Sequence, residues 1–343
     1  MTTIWTLPRI EIQSLAEIKE SRPTALVTGR TAWDTVHTQL NLPLVVQTEP
    51  LTADRQFLEE LATGLPPQVE VVYGVGGGLA ADVAKYIGWK NQLPVVLVPT
   101  MLSVDGFFTP LVAVREGGTV VYETTGPVNT VVIDWGVVSQ APAYLRGTGI
   151  AEILSIVTGL LDWRYAAERN QNTALERFQP WAAGLAAGVA QQAFKIARRV
   201  GDGQVDALQN LLDLICMEVQ INNQLGHTRA QEGSEQYFAY AIEPRVARNR
   251  GVPYADLIGP GIMIAAALHG QDIAAIRDTL TAAGIRLGQL KPDDVVATLK
   301  LLPQYVRDHN LPYSILHELD ITSERAWELI AVTGLDMTGD RPL

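Results

Sequence analysis

The stretch VEVVYGVGGGLAADVAKY carries the clearest chemical signal in the sequence. A β-branched run leads into Gly74, Gly76, Gly77 and Gly78, and a helical pattern follows from about Leu79. Glycines let the backbone approach an anion closely, and a helix start offers free N–H groups and a positive dipole end. We predict that this loop holds the pyrophosphate of a nucleotide. A merely tight strand-to-helix turn is the alternative, since glycine-rich turns are common.

The stretch VPTMLSVDGFFTP places hydroxyls and a carboxylate just after another predicted strand. Thr100 and Ser103 supply the hydroxyls, and Asp105 lies on a turn with Gly106. In open α/β sheets, ligands bind beyond the carboxyl ends of the strands. Asp105 is therefore a candidate catalytic or substrate-binding carboxylate, with the capping of a turn as the alternative.

A third polar stretch, EGSEQYFAY, has the pattern of a helix start. Gly233 ends the preceding segment, and Ser234 is a favoured N-cap residue. Gln236, Tyr237 and Tyr240 then place polar and aromatic groups in the first turn and a half. A helix start of this polarity usually presents groups to a ligand, so we expect Gln236 to face one.

The elements that must position these residues change in character near residue 145. Before it, short β-branched runs alternate with helical or loop segments, which is the βαβ pattern of a nucleotide-binding α/β domain. The predicted parallel strands are residues 24–29, 42–48, 69–78 and 93–100, and a hairpin is predicted over 111–124 with its turn at 116–118. Beyond it, helical periodicity replaces the strand signals. We predict an α/β domain over 1–145 and an all-helical domain over 146–343.

Composition and charge narrow the classes of function. Of the 343 residues, 47% are hydrophobic and 18% charged, which is globular composition. The formal net charge is −11 without a block of Lys or Arg, so nucleic acid is not expected as a partner. The single cysteine, Cys216, excludes an intrachain disulfide and a thiolate metal cluster. Neither a signal peptide nor a membrane span is predicted, so we expect a cytoplasmic protein without a membrane partner.

Several motifs together resemble one family. Gly-Gly-Gly-x-x-x-Asp-x-x-Lys covers residues 76–85, and Pro-Thr-x-x-Ser-x-Asp-Gly-x-x-x-Pro covers 99–110. With GTGIAEILSIVTGLLDW, GHTRAQEGSEQ and YADLIGPGI, they resemble the glycerol-1-phosphate dehydrogenase branch of the dehydroquinate synthase-like superfamily. That superfamily also holds glycerol dehydrogenases, iron-containing alcohol dehydrogenases and sugar-phosphate cyclases. The resemblance implies an N-terminal NAD(P)-binding α/β domain, a helical C-terminal domain and an active site in the cleft between them.

The resemblance also implies a cofactor, NAD or NADP, and the residues that bind it. These residues are Gly76, Gly77, Gly78, Asp82, Lys85, Thr100 and Ser103.

In the resembled family, one Asp and two His hold zinc or iron, a Lewis acid for the reacting oxygen. The matching positions in this chain are Glu152, Gln236 and Tyr254. A glutamine amide is a weak ligand for these ions and a tyrosine phenolate is uncommon in zinc sites, so no catalytic metal is expected. Tyr254 and Glu152, with Asp105, become the candidate catalytic residues. Gln236 and His227 are candidate substrate contacts, although a lone histidine more often has a structural role.

Taken together, the resemblance implies hydride transfer on a small polyol, a polyol phosphate or a related carbonyl compound, without the family's metal. Two alternatives stay open. One is a catalytically inactive homologue that acts as a binding or structural protein, and the other is a sugar-phosphate cyclase-like enzyme. A small-molecule substrate is expected, and the sequence allows a homo-oligomer.

Overall fold

The computed structural model describes residues 3–250 and 253–335 and divides the chain into two compact units. The first unit consists of Thr3–Pro142 and Gly203–Gln220. The second consists of Ala143–Asp202 and the described residues from Ile221 onward. The division predicted after residue 145 differs from this partition mainly in Gly203–Gln220, which groups with the first unit.

A six-stranded parallel sheet organises the described part of the first unit, with the strand order β1-β8-β5-β4-β2-β3. Its strands are β1 (Arg9–Ile12), β2 (Thr24–Thr28), β3 (Leu44–Thr48), β4 (Val71–Gly76), β5 (Val95–Pro99) and β8 (Thr130–Ile133). The β-branched runs predicted four of them, β2 to β5. The outer pair β1 and β8 has only four residues in each strand, and such short runs carry a weak periodic signal.

The predicted hairpin forms a second, two-stranded sheet from β6 (Leu111–Glu116) and β7 (Thr119–Thr124), which pair antiparallel. Gly117 and Gly118 make its turn with φ of 61° and 84°, a region that favours glycine. The helices of this part are α1 (Arg30–Val36), α2 (Arg55–Thr63), α3 (Gly78–Asn91) and α4 (Trp135–Val138). The predicted nucleotide-binding α/β architecture is confirmed.

Helices alone make up the regular structure of the described residues after Val138, apart from a short 3-10 helix at Ile315–Glu318. They are α5 (Ala143–Arg146), α6 (Thr148–Glu168), α7 (Pro180–Gly201), α8 (Val205–Leu225), α9 (Ser234–Arg250), α10 (Ala255–Leu268), α11 (Ala274–Ala282), α12 (Pro292–Asp308) and α13 (Ser323–Thr333). The apolar stretch Ala143–Glu168 is long enough to cross a membrane, but 67% of its most apolar window is buried inside the protein. Burial of this kind is typical of a core helix.

A buried carboxylate on α6, Asp162, joins three segments of the second unit. Its Oδ2 accepts from the Ser234 N–H and the Ser234 hydroxyl, both at 2.6 Å. Its Oδ1 accepts from the Ile315 N–H at 2.8 Å and lies 3.0 Å from His269 Nε2. Burial opposes the charge of Asp162, but these contacts outweigh it and hold the pKa below its ordinary value. The ionised side chain thus connects the start of α9, the end of α10 and the 3-10 helix.

Replacing Asp162 with Asn should destabilise the protein. The amide keeps the shape but offers one oxygen and an NH₂ group to four donors, so buried donors lose their acceptors. At about 1–3 kcal/mol for each unsatisfied donor, we expect the free energy of unfolding to fall by roughly 2–5 kcal/mol. Urea unfolding measures it, with Asp320→Asn at an exposed position as the control. Equal stability of the two variants would contradict the structural role of Asp162.

Candidate nucleotide loop and catalytic site

The glycine loop of the first unit joins β4 directly to α3. Gly76 ends β4 with φ of +141°, a conformation that side chains rarely allow, and α3 begins at Gly78. A Cβ at Gly78 would lie 2.9 Å from Val104 Cγ2, so the loop packs closely against the segment after β5. The Thr100 N–H donates to the Gly76 carbonyl at 3.0 Å and holds the end of β5 beside the loop. The first N–H groups of α3 therefore come directly after glycines, which have no side chains to cover them.

A buried hydroxyl without a hydrogen-bond partner lies next to this loop. Ser103 is 7% exposed, and its Oγ has no partner in the structure. The oxygen lies 3.9 Å from the point where a Cβ of Gly77 would stand. Buried hydroxyls are normally paired, so an orphan beside a helix start indicates a polar ligand. Together, the loop, the helix start and Ser103 fit the pyrophosphate of a dinucleotide.

Lys85 and Asp82, predicted as cofactor-binding residues, make contacts of another kind. Lys85 Nζ donates to the carbonyls of Gly106 and Thr109, both at 2.9 Å, and to that of Leu111. Asp82 Oδ1 accepts from the Ala113 N–H at 3.3 Å. An ammonium group has three donors, and all three of Lys85 are used. Both side chains hold the segment after Asp105 on α3, and their contact with a nucleotide stays a prediction.

The pKa values of this pair reflect burial. Burial lowers the pKa of Lys85 to about 8, although Asp82 and Asp105 oppose the shift. Burial also raises the pKa of Asp82 above its ordinary value, against the opposing charge of Lys85. Each group stabilises the charge of the other inside the protein.

Asp105 begins a 3-10 helix, Asp105–Phe107, and is half-buried. Its backbone carbonyl accepts from the N–H groups of Phe108 at 2.7 Å and Thr109 at 3.1 Å. The main chain of Asp105 thus closes a turn, as the structural alternative expects. The catalytic role of its carboxylate stays a prediction.

In the second unit, the structure brings Gln236 and Tyr254 into contact. The Tyr254 hydroxyl donates to Gln236 Oε1 at the N-terminal ends of α10 and α9. The two helices pack closely, since a Cβ at Gly261 would lie 2.5 Å from the Glu235 carbonyl oxygen. Glycine at 261 therefore permits the approach that brings Tyr254 to Gln236.

Glu152 on α6 completes the predicted trio. Its carboxylate is 4% exposed and acts electrostatically on Tyr254. Burial raises the pKa of Tyr254 well above its ordinary value, and the charges of Glu152, Tyr240 and Glu232 raise it further. Tyr254 is therefore a neutral phenol at physiological pH and a hydrogen-bond donor.

These three side chains do not fit a zinc or iron site. Gln236 Oε1 already accepts from Tyr254, and a phenol with a raised pKa resists conversion to the phenolate that a metal requires. In the described ranges 3–250 and 253–335, no group of three His, Cys, Asp or Glu side chains has the arrangement of a metal site.

His227, a candidate substrate contact, packs against the edge of Trp163 with ring centroids 5.3 Å apart. Its Nδ1 accepts from the Arg229 N–H at 3.2 Å, and burial lowers the pKa of the imidazole. These contacts support the structural role of His227, and its contact with substrate stays a prediction.

Two buried residues near the site gave no signal in the sequence. Gln231 Nε2 donates to Glu152 Oε1 at 2.6 Å. Glu235, which is 0% exposed, receives the Gly233 N–H on Oε1 at 2.7 Å. Burial and the neighbouring charge of Asp162 raise the pKa of Glu235 to about 8. A glutamate in the first turn of a helix normally lies at the surface, where its charge interacts favourably with the helix dipole. The sequence therefore does not reveal that Glu235 is buried.

The sequence of the chain is similar to those of known dehydrogenases. The iron-containing alcohol dehydrogenase family matches residues 11–142. A glycerol-1-phosphate dehydrogenase [NAD(P)+] of Thermofilum pendens is 32% identical over 277 residues, covering 78% of this chain and 76% of the relative. The corresponding protein of Aeropyrum pernix is 30% identical, covering 81% and 78%.

Solved structures confirm the fold. A probable glycerol dehydrogenase from Sinorhizobium meliloti has a TM-score of 0.70 at 16% identity, covering 98% of this chain and 99% of its own. A sulfoacetaldehyde reductase from Bifidobacterium kashiwanohense in complex with NAD+ has a TM-score of 0.64 at 15% identity, covering 99% and 100%.

The raised pKa of Glu235 should make stability depend on pH. The unfolded carboxyl loses its proton near its ordinary pKa of 4.5, whereas the folded one keeps it up to about pH 8. Stability from this group is therefore present at low pH and falls as the pH rises between these values. Glu235→Gln keeps the acceptor for Gly233 and has no proton to lose.

We expect Glu235→Gln to be more stable than the parent protein at about pH 8.5, with a smaller gain at about pH 5. One pKa unit corresponds to about 1.4 kcal/mol, so the gain should reach a few kcal/mol. Urea unfolding at the two pH values gives the result. Glu168→Gln, at an exposed position, is the matched control. A difference from the parent that does not change with pH would refute the assignment.

Proposed function

Because the chain belongs to the glycerol-1-phosphate dehydrogenase family of the iron-containing alcohol dehydrogenase superfamily, we propose that it transfers a hydride between NAD(P) and a small alcohol or carbonyl compound. The substrate class is a polyol, a polyol phosphate or a related carbonyl compound. The observation that carries the catalytic part is the neutral Tyr254 phenol hydrogen-bonded to Gln236, at positions where the resembled family holds its metal.

The first unit would hold the cofactor. The N–H groups at the start of α3, exposed by Gly76, Gly77 and Gly78, suit the pyrophosphate, and the unpaired Ser103 hydroxyl gains a partner on the nucleotide. When bound, the nicotinamide supplies or accepts the hydride. The names of the relatives support either NAD or NADP.

The second unit would handle the proton without a metal ion. In carbonyl reduction the hydride adds to carbon, the alkoxide that forms is basic enough to take the proton of the Tyr254 hydroxyl, and solvent returns a proton to the phenolate. Gln236 has two donors and one acceptor, which suits orientation of the substrate. Glu152 accepts a proton or fixes a substrate hydroxyl. Oxidation of the alcohol runs through the same groups in reverse.

The proposal includes a cytoplasmic location and a small-molecule substrate. Self-association into a homo-oligomer is compatible with it.

Nucleotide binding tests the first half of this proposal. Titration calorimetry with NAD, NADH, NADP and NADPH should detect binding of at least one. Ser103→Ala should weaken that binding about 3- to 10-fold, the effect of one lost hydrogen bond of about 0.5–1.5 kcal/mol. Ser21→Ala, at an exposed position of the same unit, should bind like the parent protein. Absence of binding by all four nucleotides at millimolar concentration would remove the oxidoreductase proposal.

Tyr254→Phe tests the second half. The substitution keeps the ring and removes the hydroxyl, so turnover on a substrate found by screening should fall about 10²- to 10⁴-fold. Gln236→Ala should mainly raise KM, since it removes orientation and not the proton donor. Full turnover by Tyr254→Phe would show that Tyr254 is a packing aromatic.

Metal dependence is decided on the same protein. Elemental analysis after gel filtration should find less than stoichiometric zinc or iron, and a chelator should leave turnover unchanged. One bound transition metal per chain, lost in Glu152→Ala, would overturn the metal-free mechanism.

A further inference from the structure

Gln231 lies between a second amide and the carboxylate of the candidate site. It is 2% exposed, on the turn before α9. Its Nε2 donates to Glu152 Oε1 at 2.6 Å, and its Oε1 accepts from Asn222 Nδ2 at 2.9 Å. Asn222, near the end of α8, is itself buried. The three side chains form a directed chain of hydrogen bonds that ends on Glu152.

The direction of this chain follows from the chemistry of its members. An amide has one end that donates and one that accepts. Because Asn222 donates to the oxygen of Gln231, the NH₂ group of Gln231 must face Glu152. A hydrogen bond donated to a carboxylate favours its ionised form. Asn222 thereby fixes the orientation of Gln231, and Gln231 fixes one oxygen of Glu152.

We propose that Gln231 is a positioning residue, which holds the Glu152 carboxylate in place in the candidate site. This inference rests on the proposed function, in which Glu152 accepts a proton or fixes a substrate hydroxyl. A metal ion can hold its ligands at fixed places, and in this site a neutral amide does so for Glu152. Gln231 acts through Glu152 and does not itself touch the reacting atoms.

A neutral donor suits this task better than a cation or an apolar side chain. Lysine or arginine at 231 would pair with Glu152 and compete with a substrate for its charge. An apolar side chain would remove a donor from a buried carboxylate, which costs free energy and lets the side chain rotate. Glutamine supplies the hydrogen bond and leaves the charge of Glu152 in place.

A double-mutant cycle tests the proposal. Gln231→Met keeps the length of the side chain and removes the amide. We expect kcat to fall about 10- to 100-fold, the effect of losing a hydrogen bond to a charged group, while the KM for the nucleotide stays the same. In a protein that already carries Glu152→Ala, which has no side-chain acceptor for Gln231, Gln231→Met should cause little further loss. Losses that multiply in the double variant would show that Gln231 does not act through Glu152.

Two further variants separate positioning from general destabilisation. Asn172→Ala removes a half-buried amide that donates to the Trp163 carbonyl at 3.2 Å, and its kcat should match that of the parent protein. Asn222→Ala leaves Gln231 in place but removes its anchor. It should lower kcat in the same sense as Gln231→Met, by a smaller factor, and this loss too should vanish beside Glu152→Ala. Unchanged kcat in Asn222→Ala would contradict the directed chain.

Crystal structures of the parent protein and Gln231→Met provide a readout that needs no activity. The Glu152 carboxylate should leave the position that it has in the parent protein. If it stays in place, the positioning role is wrong, whatever the kinetics show. If it moves while Tyr254→Phe retains full turnover, Gln231 positions Glu152 as inferred, and only the reaction assigned to Tyr254 fails.

Discussion

The hydrogen bonds that one buried carboxylate, Asp162, accepts determine where the groups of the candidate catalytic site lie. Asp162 accepts from donors on three segments, and its two oxygens have little capacity for more. The bonds to Ser234 fix the first residue of α9, and Gln236 follows two residues later. The contact with His269 fixes the other end of α10, about 20 Å along the helix from Tyr254. Because α10 is a rigid helix, fixing one end also fixes the other. The positions of both Tyr254 and Gln236 therefore depend on Asp162.

In the rest of the candidate site, neutral side chains donate the hydrogen bonds that stabilise the polar groups. Gln231 donates to Glu152, and Tyr254 donates to Gln236. The phenol stays protonated because burial and nearby carboxylates both oppose its ionisation. A bound divalent cation would favour the opposite state, with ionised ligands around a positive centre. The observed groups therefore suit donation of a hydrogen bond to a substrate oxygen, and the proton itself can pass only to an oxygen as basic as the alkoxide formed by hydride addition.

The sequence predicts what local patterns determine. Runs of β-branched residues locate the inner strands, and glycines followed by a helical pattern locate the loop at Gly76. The helix near Ser234 also follows from local signals, although its hydroxyl donates to Asp162 where the sequence predicts an N-cap. Its partner lies 72 residues away along the chain, and no local pattern reports such a contact.

The sequence does not show in which direction a long polar side chain points. Asp82 and Lys85 lie three residues apart on one face of α3, and the same spacing would serve a nucleotide or a neighbouring backbone equally well. Only the tertiary structure reveals the backbone contacts, in which the carbonyls of Gly106, Thr109 and Leu111 converge on the ammonium. Gln231 and Glu235 are similar cases, since only packing reveals that they are buried.

Gly203–Gln220 belongs to the first unit but is synthesised after the second unit's first segment has been made. A ribosome completes Thr3–Pro142 and then the 60 residues of Ala143–Asp202 before it reaches this segment. At about 5–20 residues per second, that interval lasts roughly 3–12 s. During it, the nascent first unit lacks a helix whose Leu208, Leu211 and Ile215 are fully buried in the finished protein. Gly203–Gln220 is therefore the last part of the first unit to be synthesised, and an expression fragment cut at Pro142 would lack it.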